Sequence, residues 1–388
     1  MSQVIAQDLI RLLGSFPRPE SPSERIQLLE ALEGFTTKIK DENVLHHEIM
    51  SAPLKLVVPR IASDLRIFEI LTKSKLSLST TDLVAETKAS KQLLARILRY
   101  LATQKFINSP GAEIWEASVL TPFLSNQAFA AGLRFGTACV MPSAMAMPAL
   151  LAENQFKDMS NLEKTAFQIG NSTSESMYEW LISHPKVQVD FQTWMAESQR
   201  HHEPIYSIFP LDQFIRSPSN TSTPLFVDVG GGNGQVCAQI RQKYPHWKGR
   251  VINQDLEATV IKIDACDGMI EHCNHDFFNE QPIKAANIYH LRNILHNWSD
   301  EECIKILSQV CGAMDSDSVV LIDGSALPDS NASLYDSYVD VVMGLFFGSR
   351  LRTLDEYRTI ATEAGLSWTR FLKYEEDSIQ YVMVLVKA

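Results

Sequence analysis

The run LFVDVGGGNGQ places Gly230, Gly231, Gly232 and Gly234 directly behind a short apolar stretch, with Asp228 inside that stretch. Glycines let a chain turn sharply and let a ligand approach the main chain. If Leu225 to Val229 form a buried strand and Gln235 opens a helix, the turn presents free N–H groups to an anion. Taken alone, the pattern admits a dinucleotide site, a nucleoside site or only a tight turn. An NAD-type spacing would need a third glycine where Gln235 or Cys237 stands, so a different nucleoside site is expected.

Three further groups follow at suggestive distances. Asp255 ends the segment VINQD, some twenty residues past the glycine turn, where a carboxylate can accept both hydroxyls of a ribose. The alternative is an ordinary strand-end Asp that caps the next helix. In HDFF, Asp276 could accept an adenine amino group and Phe277 could cover the ring. In LRNILHNWSDEE, Arg292 and His296 stand four residues apart at the end of an apolar run. At the C-terminal end of a strand both would face the crevice where α/β proteins bind ligands. His296 is a candidate general base, because an imidazole titrates near neutral pH. A satisfied structural histidine is the plain alternative.

The elements that must hold these groups can be read from residue patterns. From residue 224 onward, LFVDV, RVINQDL, NIYHL, SVVLID and YVMVLVK alternate with helical segments such as GQVCAQIRQKYP and DEECIKILSQVCGAM. Strands alternating with helices predict a doubly wound, mostly parallel sheet. SPSNTST, residues 217–223, is the expected loop into it. Residues 125–215 are expected to be mostly helical and rich in Met and aromatic residues, which pack into cores and also suit irregular apolar pockets. Over residues 50–124 the pattern is helical from Leu54 to Leu71, then a short helix capped by Thr80 or Thr81 with Asp82, a second helix capped by Ser90, and a small hairpin from Phe106 to Ala117. This is a winged-helix pattern. Its second helix is too apolar and too poorly flanked by basic residues for a DNA reader, so a structural or dimerising role is expected. Residues 1–45 read as amphipathic helix, with Ser21 before Pro22 as one start; the apolar stripe covers the chain itself or a partner subunit.

Composition agrees with an ordinary globular protein. The 388 residues carry 35 Lys+Arg against 46 Asp+Glu, a net charge of −11, with 45% hydrophobic and 21% charged residues. The acidic balance argues against nucleic-acid binding. The six cysteines (Cys139, Cys237, Cys266, Cys273, Cys303 and Cys311) form no CxxC pair and no zinc spacing, so reduced thiols and no metal are expected. The N-terminus lacks a secretory pattern, and no uninterrupted apolar run approaching about 18 residues is read from the sequence. A soluble cytoplasmic protein with no membrane partner is the expectation.

Together the winged-helix pattern, VDVGGGNG, QDLE, HDFF and LRNILHNWSDEECIKIL resemble the plant and fungal S-adenosylmethionine-dependent O-methyltransferases of the caffeate type, over roughly residues 45–388. The resemblance implies an α/β fold: a helical winged-helix dimerisation domain, residues 1–124, precedes a helical pocket segment and a Rossmann-like class I methyltransferase domain, residues 125–388. It implies a homodimer and S-adenosylmethionine as cofactor. By motif, Asp228, Gly230, Gly231, Gly232 and Gly234 fall in the cofactor loop, and Asp255 with Leu256 at the ribose. Asp276 and Phe277 fall at the adenine, and Arg292 on the cofactor side. His296 matches the base, and Trp194, Met195, Met343 and Phe347 the substrate pocket.

The pattern also breaks. In that family two acids hold the base. One position here is Gly324, in LIDGSALP, and the neighbouring Asp323 should point the other way along a strand. The other is Leu351, in GSRLRT, and Asn297 follows the base where Asp is common. A general base contributes about 10²–10⁴-fold, and removing the carboxylate behind a catalytic histidine costs about 10⁴ in serine proteases. An intact cofactor motif beside a stripped base resembles the family's fungal branch that catalyses pericyclic reactions without spending the methyl group. The expectation is therefore a cofactor-dependent pericyclase or cyclase acting on an apolar, polyketide-like small molecule of secondary metabolism. His296, Arg134, Arg292 and Arg350 (or Arg352) are the candidate groups. The alternative enzyme is an active O-methyltransferase in which His296 works alone on an acidic hydroxyl. A cofactor-sensing winged-helix regulator is the non-enzymatic reading.

Overall fold

The alternating runs fold as one twisted sheet in the structure, a computed structural model that describes residues 7, 11–12, 22–200, 203–216, 219–256, 269–374 and 379–388. Ser21 and Cys266, both singled out above, lie outside the described residues, as do residues 217 and 218 of the expected loop. Two compact units divide at Lys55: residues 1–55 and residues 56–388.

In the first unit the helices Pro22–Ile39 and Glu42–Ser51 are found, the second capped by Asp41, whose side chain accepts from Val44 N–H. Glu42–Ser51 buries no residue within the chain, and Leu45, Ile49 and Met50 stand exposed.

The winged helix forms as expected. Strands β1 (Leu78–Ser79), β2 (Ile107–Gly111) and β3 (Ile114–Ala117) make a small antiparallel sheet in the order β1-β3-β2. Two details differ. The apolar stretch from Leu54 to Leu71 is two helices, Leu54–Asp64 and Ile67–Lys73, because Arg66 adopts a left-handed backbone (φ +58°) that redirects the chain. The cap of helix Thr80–Thr87 is Ser79, closed by Asp82 in a reciprocal capping box. Ser90 caps Lys91–Thr103, which turns Leu94, Ile97, Leu98 and Leu101 inward.

The helical segment contains a surprise in length. Gln127–Phe135, a π-helical turn Gly136–Val140 and Met141–Glu153 run on as one helix of 27 residues that contains an 18-residue stretch of mean hydropathy 1.5. This corrects the reading that no apolar run has membrane-spanning length: Phe135 to Ala152 carries no charged side chain. Core helices reach the same apolarity for another reason, which is packing. Phe135 and Cys139 are buried against Phe167, Trp180 and Phe346.

Eight strands make the main sheet. β4 (Pro224–Val229), β5 (Arg250–Asp255), β6 (Glu271–Asn274), β7 (Ile288–Arg292) and β8 (Val319–Leu327) are parallel, and β9 (Arg352–Thr353) adds to β8. β11 (Gln380–Lys387) returns antiparallel beside β8 and pairs with β10 (Leu366–Lys373), a strand not anticipated from LSWTRFLK. One apolar core lies on each face: Ile306, Leu307 and Tyr357 belong to one, Phe209, Ile240 and Trp247 to the other. The parallel order brings the C-terminal ends of β4, β5, β6, β7 and β8 to one edge of the sheet, and the glycine turn, Asp255, HDFF and the His296 turn each lie at or just beyond such an end.

Candidate cofactor and catalytic site

The glycine turn follows β4 and leads into helix Gln235–Lys243. Gly230, Gly232 and Gly234 have positive φ (+72°, +56° and +78°), a region that suits glycine. Gly231 is excluded from carrying a side chain by contact instead: a Cβ there would stand 2.2 Å from Asn253 Oδ1 and 2.5 Å from Asp228 Oδ2. The turn is stitched to β5. Gly230 and Gly231 N–H donate to Gln254 O, Gly232 N–H donates to Asp255 Oδ2 at 2.8 Å, and Asn253 Nδ2 donates to Gly232 O at 2.9 Å.

Asp255 also accepts from the N–H of Leu256, at 2.8 Å. A carboxylate at this strand end is placed to accept from ribose hydroxyls. Leu256 itself is half exposed. Beyond β6, Asp276 accepts from Phe278 N–H and Asn279 Nδ2, which fixes the HDFF turn. Phe277 packs edge-on against Phe278 and Trp298. Two acceptor atoms at the turn, Asp228 Oδ2 and Asn253 Oδ1, are buried with no hydrogen-bond partner among the described residues. Buried acceptors of this kind cost about 1–3 kcal/mol each unless something donates to them. A glycine cradle, a ribose-ready carboxylate, an aromatic flank and orphaned acceptors fit S-adenosylmethionine. The family relationship given below supports that cofactor.

His296 lies in a single 3₁₀ turn, Leu295–Asn297, between β7 and helix Asp300–Ala313. That turn is held by Arg352, which is 1% exposed. Its guanidinium donates to Leu295 O (2.9 Å), Trp298 O (2.7 Å) and Asp300 Oδ1 (2.7 Å). Ser349 Oγ adds a bond to Trp298 O at 2.9 Å. Among the described residues no carboxylate lies within hydrogen-bonding distance of either nitrogen of His296. Burial and then the charge of Arg352 push its pKa down to about 4, so the ring is neutral. The two positions expected to lack acids behave accordingly: Leu351 is buried and apolar, and a Cβ on Gly324 would meet nothing nearer than Asn293 Oδ1 at 4.0 Å.

The other expected groups are placed as follows. Arg292 ends β7, with Nε 3.7 Å from Asp323 Oδ2. Arg134 pairs with Asp190, Nε to Oδ1 at 2.7 Å, beside a cleft of about 390 Å³ lined by Arg66, Glu69 and Gln127. Arg350 pairs with Asp300 and Glu356. Both guanidiniums are therefore ion-paired within the chain, as Arg292 is more loosely with Asp323. Trp194 stacks on Phe135 at 5.5 Å between ring centres. Met343 and Phe347 pack on the same cluster, while Met195 is half-buried.

Tyr178 was not foreseen. It stacks on Phe347 (5.4 Å), and its hydroxyl accepts from Asn297 Nδ2 at 3.4 Å. The residue as a whole is 45% exposed, but desolvation of its enclosed hydroxyl and the charge of Asp255 raise its pKa to about 12, which keeps it a neutral hydroxyl. One residue thus joins the His296 turn, the ribose carboxylate and the pocket cluster. Only a lone Tyr in MYEWLIS marks it in the sequence, and nothing in that spacing points to a site.

Comparison with known proteins gives this geometry its relatives. A model of the O-methyltransferase domain matches residues 161–367, and one of the O-methyltransferase dimerisation domain matches residues 48–122. The 16-O-methyltransferase bsc6 of Alternaria brassicicola is 32% identical, over 83% of this chain and 82% of that protein. The O-methyltransferase lepI of Aspergillus flavus is 30% identical, over 85% of this chain and 86% of its own. The solved LepI complex with SAM superposes with a TM-score of 0.85 at 27% identity, over 100% of this chain and 99% of that one. A solved pericyclic reaction enzyme gives the same values. This chain belongs to the O-methyltransferase family, built on a class I methyltransferase fold with an N-terminal dimerisation domain and with S-adenosylmethionine as its cofactor.

Proposed function

We propose that this enzyme is a S-adenosylmethionine-dependent pericyclase or cyclase that acts on an apolar small molecule without transferring the methyl group. One observation carries the reading: His296 is a neutral, half-buried imidazole with a guanidinium behind it and no carboxylate at either nitrogen. Moving a proton from a phenol of pKa about 10 to an imidazole of pKa about 4 is uphill by about 8 kcal/mol, against about 5 kcal/mol for an unperturbed histidine. Such a ring is poor as a base. It is well suited to donate one hydrogen bond to a carbonyl oxygen on which charge develops.

The bound cofactor supplies a fixed sulfonium charge. Arg292, at the end of β7, contributes a second positive charge on the cofactor side. Phe347, Met343, Trp194 and Tyr178 form an apolar wall that holds a flexible substrate near its reactive shape, and pre-organisation of that kind lowers the barrier of a rearrangement within one molecule. A homodimer is part of the same reading, supported by the dimerisation-domain match and by the uncovered apolar side of Glu42–Ser51.

Methyl transfer to an acidic hydroxyl is the second reading. The names of the relatives bsc6 and lepI favour it, as does the retention of His296. Single-turnover mass spectrometry with S-adenosylmethionine carrying a labelled methyl group, on an extract of small fungal metabolites, separates the two. A substrate that vanishes into an isomer or a dehydrated product with the cofactor unspent supports the cyclase. Label in a product, with S-adenosylhomocysteine formed, overturns it.

A further inference from the structure

His290, on β7, is 0% exposed, and its ring lies between two buried carboxylates. Nδ1 is 2.8 Å from Asp228 Oδ1, and Nε2 is 3.2 Å from Asp323 Oδ2. Asp228 is the penultimate residue of β4, before the glycine turn, and Asp323 is the last residue of β8 paired with β7. The strand register sets this up: Asp228 pairs with His290 across β4 and β7, and Arg292 pairs with Asp323 across β7 and β8. Asp323 also accepts from the Tyr374 hydroxyl at 3.0 Å and has Arg292 Nε at 3.7 Å. Phe226 packs against the His290 ring at 5.4 Å.

A neutral imidazole donates one hydrogen bond and would turn a lone pair toward the other carboxylate. Only the doubly protonated ring satisfies both. Burial by itself would push the His290 pKa down, but the bonds to Asp228 and Asp323 overcome it and lift it to about 9. The carboxylate of Asp323 is in turn held below its usual range: burial opposes this, while His290 and Arg292 impose it.

The free ends of the network point to its use. Asp228 Oδ2 has no hydrogen-bond partner among the described residues and stands against Gly231 in the cofactor turn. The main-chain oxygen of Asp323 accepts from Asn293 N–H at 2.9 Å, and Asn293 O accepts from Asn297 Nδ2, beside His296. We infer that His290 is a positioning residue, a buried imidazolium that holds Asp228 aimed at the glycine turn and ties that turn through Asp323 to the loop carrying His296. Two carboxylates converge on this one ring, and the cation between them holds them there. The inference rests on the cofactor site and not on which reaction the pocket hosts.

Nitrogen NMR of the histidine side chains in the wild-type enzyme tests the charge directly. One imidazole with both nitrogens protonated at pH 8 is expected, and its absence overturns the inference. Calorimetric titration with S-adenosylhomocysteine tests the consequence. His290→Gln, which keeps one donor but no charge, is expected to bind about tenfold more weakly at pH 7.5. Because the ligand's own titration cancels between the two proteins, the ratio should shrink above about pH 9, where wild type loses the same proton. A folded His290→Gln enzyme with wild-type affinity and an unchanged pH profile overturns the inference as well.

Discussion

His290 and His296 lie six residues apart and are shifted in opposite directions, so each should bend the stability curve on a different side of neutrality. The folded pKa of His290, about 9, lies above the unfolded value of about 6.5. Its contribution is full below pH 6.5 and is lost as the pH rises through about 9. The folded pKa of His296, about 4, lies below the unfolded value. It costs nothing above pH 6.5, and the penalty grows as the pH falls toward 4, because the unfolded chain takes up a proton that the folded one resists. At 1.36 kcal/mol per pKa unit each limb spans about 3 kcal/mol, with a slope of at most about 1.4 kcal/mol per pH unit. Urea unfolding of wild type, His290→Gln and His296→Gln between about pH 4.5 and pH 9.5 resolves the two limbs. His290→Gln should flatten the alkaline limb and leave the acid one, and His296→Gln the reverse. Equal alkaline slopes in wild type and His290→Gln would refute the imidazolium, and equal acid slopes in wild type and His296→Gln would refute the neutral base.

Arg352→Met removes two bonds to the carbonyls of Leu295 and Trp298 and should cost about 3–5 kcal/mol in urea unfolding. It should also raise the His296 pKa part of the way, since burial is the larger cause; Arg352→Lys should leave that pKa low, and a His296 titration indifferent to both changes would contradict the account. Gly231→Ala, with no room for a Cβ beside Asn253 and Asp228, should abolish S-adenosylhomocysteine binding in calorimetry, and retained affinity would show that the cradle is looser than the structure has it. Ile49→Glu places a charge on the uncovered side of Glu42–Ser51 and should convert a dimer to a monomer by light scattering; a wild-type monomer at micromolar concentration would contradict the dimer itself.

Much of this molecule is legible in its residues because the signals are local. The alternation of β-branched runs with helices dictates a parallel sheet, and strand ends then fall where the glycines, Asp255, Asp276 and His296 stand. Ser90 and Ser299 cap the helices that follow them, since a cap is a matter of three residues. The absence of acids at Gly324 and Leu351 is likewise a fact of sequence. Other features depended on long-range pairing. Arg134 and Arg350 stand in the sequence as candidate cations with no partner in view, and the carboxylates that pair with them include Asp190 and Asp300, 56 and 50 residues away. Tyr178 reached the site only because its helix was folded onto Phe347 and Asn297. Asp323 was expected to point away from the base; what it faces, His290, was decided by strand register. His290 sits in the plain run NIYHLR and carries no motif. Two carboxylates 95 residues apart, which assembly of the sheet brings to its two nitrogens, make it a cation, while burial against a guanidinium makes its neighbour His296 neutral. Residue type determined that both could titrate; only the tertiary surroundings decided which one holds the proton.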